Sequence, residues 1–355
     1  MTDWQPQSVA LSLQLSDFTL ARLPLRVQVR QAAHQPDEVA PPGPPQPPAM
    51  QPAPGVDGFL VRAMPVDASV APLQRCSEWI TYVADPYQHF TVDLRLGFDA
   101  YKGRFSSKSR STITRKVAKF ARYCGGSLKW KRYTSASELL EFHRQARVVS
   151  ARTYQERLLD AGLPDSPEFL ARMQAAAAQD RVRAFLLFDG DRPVSYLYCP
   201  IEGDTVIYAY VGYAPEYVKH SVGTVLFWLA IESMFSESRY TCFDFTEGET
   251  DHKRHFATHG CLSANVYFLR PSRKLLLAVQ AHHRFSRWAG ALRSWLERRG
   301  WKVGIRRFLR FGRSGTGAGV PETLLWVMGC AMFGEYGLDA GILPWATSGT
   351  LAYQE

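Results

Sequence analysis

Between Arg181 and Pro215 the chain reads RVRAFLLFDG, RPVSYLYCPIEG and DTVIYAYVGYAP, three short runs rich in β-branched and aromatic residues. The Asp-Gly-Asp and Glu-Gly-Asp junctions between them are turn formers, so the runs predict consecutive antiparallel strands in a meander. The pattern then changes. VGTVLFWLAIESMFS, Val222 to Ser236, is long and apolar enough for a buried helix, and YTCFDF, Tyr240 to Phe245, predicts a strand that ends among acids.

Upstream, FSSKSRSTITRKVAKFARY, Phe105 to Tyr123, sets Ile113, Val117, Phe120 and Cys124 at helical spacing. Arg110, Arg115, Lys116, Lys119 and Arg122 fall mostly on the remaining surface, which predicts a basic amphipathic helix with serines ready to cap it. Ser135-Ala136-Ser137-Glu138 has the form of a capping box and precedes Leu139, Phe142 and Ala146 on one helical face. A further helix is predicted over Ser166 to Gln179. Strands are predicted at GFLVRAMP, EWITYVAD, HFTVDL and SLKWKRYT, and Phe18 to Arg30 reads as one strand or a hairpin.

The prolines of Pro36 to Pro54 preclude helix or inner strand and leave an extended spacer. From Arg273 to Phe311, Leu275, Leu276, Val279 and His283, then Trp288, Leu292, Trp295 and Leu296, predict one or two basic helices, either packed on a sheet or lying on an anionic membrane. GRSGTGAG interrupts the chain before LLWVMGCAMFG, and Val320 to Glu355 receives no assignment. The expected organisation is therefore a strand segment at 1–35, a Pro-rich linker at 36–56 and a small sheet with the basic helix at 57–134. A core at 135–270 and a basic helical extension at 271–355 complete it. The fold class is α+β: a central mixed, mostly antiparallel sheet flanked by helices, with a helical C-terminal extension.

With 355 residues, 46% of them hydrophobic, the chain can bury a substantial core. Sixteen Tyr, twenty Phe and nine Trp argue against wholesale disorder. No run approaches the roughly 20 apolar residues of a membrane span, and Met1 to Leu20 lacks a basic start followed by an apolar stretch, so a cytoplasmic protein is expected. Cys76, Cys124, Cys199, Cys242, Cys261 and Cys330 are scattered without metal spacing and read as reduced thiols. The net charge of +9 is concentrated: Lys102 to Arg132 holds eleven Lys or Arg and no acid, and Arg273 to Arg313 holds twelve with only Glu297. Two basic blocks thus decorate an otherwise acidic protein, and phosphates of a cofactor, a nucleic acid or lipid headgroups would suit them.

Candidate chemistry gathers between Tyr208 and Phe256. Lys219-His220-Ser221-Val222-Gly223-Thr224-Val225 lies just ahead of the apolar helix, where a glycine permits close approach and the helix dipole favours anions; Ser221 also reads as an ordinary N-cap. Asp244, Glu247 and Asp251 sit at or beyond the end of the following strand, where a carboxylate can take a proton from an attacking amine. Thr250 or Asp251 also reads as the cap of the helix HKRHF. His252, His255 and His259 recur at helical spacing without a carboxylate partner pattern, and no metal is expected.

Strand-turn-strand-turn-strand, a glycine-bearing loop, an apolar helix and an acid-ended strand resemble the core of the GNAT acyltransferases. YAPEYVKHSVGTVLFWLAIE followed by CFDFTEGETDHKRHFAT is similar to the branch associated with cellulose and exopolysaccharide biosynthesis, called CelD-like, which is related to the Fem aminoacyltransferases. Ser221-Val222-Gly223, Asp244-Phe245, Gly248 and Lys253-Arg254 occupy the places that carry the likeness. His220 and Val225 depart from the common pyrophosphate signature, and His252 stands where the branch carries tyrosine. The resemblance covers roughly Gly58 to Arg270.

It implies an acetyl-CoA or other acyl-CoA co-substrate held by Val211, Tyr213, His220, Ser221, Gly223 and Thr224. Asp244, Glu247 and His252 would be catalytic, and Asp251, Lys253 and Arg254 would bind the acceptor, an amine-bearing small molecule or glycan precursor. The expected function is N-acyl transfer from the thioester to that amine, in the cytoplasm or against the inner face of an anionic membrane. Transfer from aminoacyl-tRNA is the alternative enzyme, and a catalytically degenerate membrane- or nucleic-acid-binding protein is the alternative without chemistry.

Overall fold

The computed structural model describes residues 4–15, 18–32, 34, 40–75, 78–153 and 162–298. GRSGTGAG, LLWVMGCAMFG and the stretch from Val320 onward lie outside the described residues. Two compact units emerge: Met1–Val9 with Leu25–Pro271, and Ala10–Pro24 with Ser272–Glu355.

In the first unit the meander forms as the sequence predicts, with β7 (Val182–Asp189) and β8 (Arg192–Glu202) antiparallel. The third run breaks in two, β9 (Thr205–Ile207) and β10 (Tyr210–Tyr213), and both halves pair with β8. Val182 to Phe188 are all buried, because helices cover both faces of the sheet here. On one side, Tyr196 donates to Ser150 Oγ and Tyr198 packs against Phe142 and Phe169; these partners lie on α3 (Ala136–Ser150) and α4 (Pro167–Ala178). On the other lies α5 (Val222–Glu237), apolar almost all round as a buried helix must be.

The remaining helices start where their serines predict. Ser106 caps α2 (Ser107–Tyr123), and Ser135 with Glu138 closes a capping box on α3. A short α1 (Phe98–Gly103) precedes α2, and β6 (Lys129–Tyr133) adds an edge to β7.

The rest of the sheet departs from expectation in instructive ways. EWITYVAD and HFTVDL, with Asp-Pro between them, read as two strands, yet β5 (Ile80–Asp93) is continuous. Asp85 takes φ 41°, and the extra residue is absorbed as a bulge where the partner's register shifts between Ser263 and Asn265. That partner, β12 (His259–Leu269), went unpredicted because Gly260, Ser263 and Asn265 dilute its apolar pattern. It inserts between β5 and β3 (Gly58–Pro65). The sheet order, from β2 (Phe18–Gln31), is β2-β3-β12-β5-β11-β9-β8-β7-β6, where β11 is Cys242–Asp244; β4 (Leu73–Arg75) adds to β5. Strands from both sides of residue 134 therefore alternate in one sheet, which is mixed and mostly antiparallel.

Val27–Gln31 of β2 run parallel to Gly58–Arg62 of β3, and a parallel pair needs a crossover. The proline-rich residues supply its second half as a bonded strap. Ala53 donates its amide to Gln28 Oε1 at 2.9 Å, and Arg270 donates to the Pro52 carbonyl at 2.9 Å.

In the second unit, α7 (Arg273–Arg298) is a single helix. Its Phe285, Ala289 and Trp288 pack with Leu13 of β1 (Gln5–Leu15) and Leu20 of β2. Part of the stripe that could lie on a membrane is thus already covered by protein, while Leu277 and Trp295 stay exposed. Among the described residues no helix is long and apolar enough to cross a membrane.

The end of α5 is anchored by Arg183, only 3% exposed, whose guanidinium donates to Glu237 at 2.7 and 2.9 Å and to Asp180 Oδ1 at 2.7 Å. Removing one partner of a buried pair strands the other. Glu237→Leu is expected to destabilise the fold by about 3 kcal/mol in urea denaturation, and Arg183→Met with Glu237→Leu to recover most of that loss.

Candidate active site

The break in the third meander strand creates the site. Through β9 the chain runs parallel to β11, with Ile207 level with Asp244, and Tyr208 donates its amide to the Asp244 carbonyl at 2.8 Å. Beyond this bond the strands part: β10 pairs with β8, and β11 ends. Ala214 donates to the Val194 carbonyl at 2.9 Å, so by antiparallel alternation Gly212 and Tyr210 also face β8. The amides of Val211 and Tyr213 then face the unpaired edge.

That edge leads to the start of α5. A short 3-10 turn, Pro215–His220, is followed by Ser221 in the left-handed conformation at φ 54° and ψ 37°. Ser221 stands at the N-cap position, but its side chain makes no cap bond. The amides of Val222, Gly223 and Thr224 therefore lack both helical and side-chain acceptors, and the helix dipole adds positive character there. Gly223 is an ordinary helical glycine; a Cβ on it would lie 3.3 Å from Tyr213 Cδ1, so its small size lets the tyrosine ring lie over the first turn.

His220 is 8% exposed, its ring centroid 4.2 Å from that of Tyr123, and neither ring nitrogen finds a hydrogen-bond partner among the described residues. Burial, with Lys219 and Lys119 nearby, holds it below its usual value, so it is neutral near pH 7. Lys119 of α2 donates to the Lys219 carbonyl at 3.2 Å, which brings the basic helix to this end of the site.

The opposite wall is the end of β11. Asp244 is 3% exposed; its Oδ1 accepts the Thr246 amide at 2.6 Å and lies 2.7 Å from His89 Nε2. Burial pushes its carboxyl up, but His89 and the Thr246 amide outweigh that and hold it low, ionised at neutral pH. His34 stacks on His89 with centroids 3.8 Å apart, and burial lowers it to about 4. Neither histidine was a candidate from sequence. The available signal was the alternation of β5, where Phe90 and Val92 join the apolar core while Tyr87, His89, Thr91 and Asp93 share the other face.

The remaining candidates cluster after β11 with different partners. Thr246, at φ 60°, turns the chain away. Glu247 is exposed beside Tyr87 and Lys253. Lys253 donates to the Glu247 carbonyl at 2.6 Å and the Thr246 carbonyl at 3.3 Å; burial brings it down to about 8. It ties down the loop rather than presenting a free ammonium. Of the two cap candidates for α6 (Asp251–Phe256), the structure uses Thr250, whose hydroxyl accepts the Lys253 amide, and not Asp251. Asp251 and Glu249 both engage Arg254 at the surface. His252 packs its ring on Phe227 and Phe256, centroids 5.0 and 4.8 Å away, with Nε2 buried.

Residues 107–254 match the family described as the acetyltransferase (GNAT) domain. That match takes in the region where the strands part. No curated protein matches the sequence. Among solved structures, the C-terminal domain of a putative lysylphosphatidylglycerol synthetase from Agrobacterium fabrum is similar at 10% identity, over 64% of this chain and 72% of that one, with a TM-score of 0.42. L-PGS from Bacillus licheniformis is similar at 14% identity, over 65% and 73%, with a TM-score of 0.40. FemX is similar at 11% identity, over 53% and 62%, with a TM-score of 0.39.

The buried histidines set a pH dependence. His252, held down to about 4 by burial, refuses in the fold a proton that the unfolded chain accepts near 6.5. Stability is therefore lost as pH falls from 6.5 to about 4, on the order of 2–3 kcal/mol for this residue, with His34 adding to it in the same window. His252→Phe keeps the ring packing and should flatten the fall in melting temperature across that window by about one proton's worth; an unchanged slope would mean His252 titrates as if exposed.

Proposed function

We propose that the protein is an acyl-CoA-dependent N-acyltransferase that transfers the acyl group directly from the thioester to an amine. One observation carries this reading: an unpaired strand edge, with the Val211 and Tyr213 amides facing out, leads directly to the uncapped first turn of α5. The edge suits the amide-bearing arm of the donor and an amide bond to the thioester oxygen, where negative charge grows in the transition state. The turn, with Ser221, Gly223 and Thr224 and the neutral His220 beside Lys119 and Lys219, suits the pyrophosphate.

In the transfer the amine nitrogen forms a bond to the thioester carbon, the carbon–sulfur bond breaks, and the sulfur leaves as thiolate and takes a proton. The amine must shed a proton, and Glu247, exposed at the mouth, is our candidate to receive it. Asp244 is a positioning residue that holds the turn through the Thr246 amide. The acceptor class, a polysaccharide or envelope precursor, rests on the likeness of Asp244-Phe245, Gly248 and Lys253-Arg254 to the cellulose and exopolysaccharide branch. The basic residues of α2 beside the α5 terminus favour aminoacyl-tRNA as the second reading of the donor.

Calorimetric titration with acetyl-CoA, longer acyl-CoAs and tRNA separates these donors. A saturable acyl-CoA isotherm that Gly223→Val weakens about tenfold is expected; no acyl-CoA binding at millimolar concentration, with salt-sensitive tRNA binding in its place, would move the assignment to the second donor. In a thiol-release assay over a panel of amino sugars, Glu247→Gln should lower turnover by about a hundredfold while leaving donor affinity unchanged. Equal loss in both would remove Glu247 from the proton transfer.

A further inference from the structure

We propose that His34, His89 and Asp244 form a binding site for a divalent transition-metal ion of the zinc type. The site stands apart from the question of donor. One donor atom from each residue lies within 4.8 Å of the other two, and all three residues are buried. Two imidazoles and a carboxylate are a donor set that suits zinc, cobalt or nickel far better than magnesium or calcium.

The hydrogen bonding of the cluster points the same way. Neither ring nitrogen of His89 nor Nε2 of His34 has a hydrogen-bond partner among the described residues. Asp244 Oδ1 comes within 2.7 Å of His89 Nε2 without the in-line geometry of a hydrogen bond. Buried polar atoms left in this state are costly, and one cation would satisfy the set. On its other edge, His34 Nδ1 lies 3.9 Å from Cys261 Sγ. Such a contact on one nitrogen fixes the tautomer and frees the other for a metal.

Capture of the ion asks for one movement. The two rings stack 14° from parallel, so their lone pairs do not converge, and donors around a tetrahedral zinc with bonds of 2.0–2.1 Å sit roughly 3.4 Å apart. One ring must therefore turn out of the stack as the cluster tightens.

The test uses untagged full-length protein, stripped with a chelator and titrated with zinc or cobalt alone. Expected are about one equivalent of zinc by calorimetry and, with cobalt, the visible bands of a four-coordinate ion. His34→Ala and His89→Ala should each abolish the stoichiometric site, whereas His255→Ala, at an exposed position, should leave it intact. Binding that survives either cluster variant, or is lost equally in His255→Ala, overturns the proposal. Should a variant fail to fold, X-ray absorption on the zinc-loaded wild type decides: two imidazoles in the coordination shell support the site, and a shell of oxygen alone overturns it.

Discussion

Tyr208 donates its amide to the Asp244 carbonyl, and two residues later its strand has left that partner for good. Two neighbours enforce the parting. The Tyr208 ring is packed among Phe227, Phe243 and Phe245, which fixes the strand at this point. Thr246, in the left-handed conformation and bonded by its amide to Asp244, swings β11 out of the sheet, so no backbone remains for β10 to pair with. Because β8 holds both halves of the broken strand, the edge opens without cost to the rest of the meander. The unpaired amides and the approach to α5 both follow from that single divergence.

A second consequence lies on the sheet face turned away from α5. β5, β11 and β12 are adjacent, and their registers place Thr91 beside both Asp244 and His259, and His89 beside Cys261. Residues of one parity go into the aromatic core, as Phe90, Val92 and Phe243 do. Those of the other parity form a buried polar face. Most of it is satisfied internally: Thr258 Oγ1 accepts the Asp93 amide at 2.8 Å, and Asp93 holds Arg95. The imidazoles of His34 and His89 are the exception, which sets them apart from ordinary buried polar groups.

Basic residues acquire meaning only by position. The α2 block reads in sequence as a solvated face or a phosphate binder, and the packing of Lys119 against the 3-10 turn before α5 favours the second. Lys253 and Arg254, adjacent in sequence, are used differently: one ties the loop carbonyls, the other pairs with surface acids.

Local rules made much of this protein legible in its sequence. Turn pairs fixed the meander, Ser106 and Ser135 fixed two helix starts, and the unbroken apolar run after Ser221 gave a buried helix, because each depends on a few neighbouring residues. The order of those elements defined the fold class. Only tertiary structure decided that Asp85-Pro86 is a bulge and not a turn, since the bulge exists through pairing with β12. Only it decided that β12, weak in pattern, lies inside the sheet. The third strand of the meander carries no mark of its break, which depends on where Thr246 directs a strand some forty residues later. His34, His89 and Asp244 are far apart in the chain, and a single sequence records no register between distant strands; their meeting could be found only in the folded sheet.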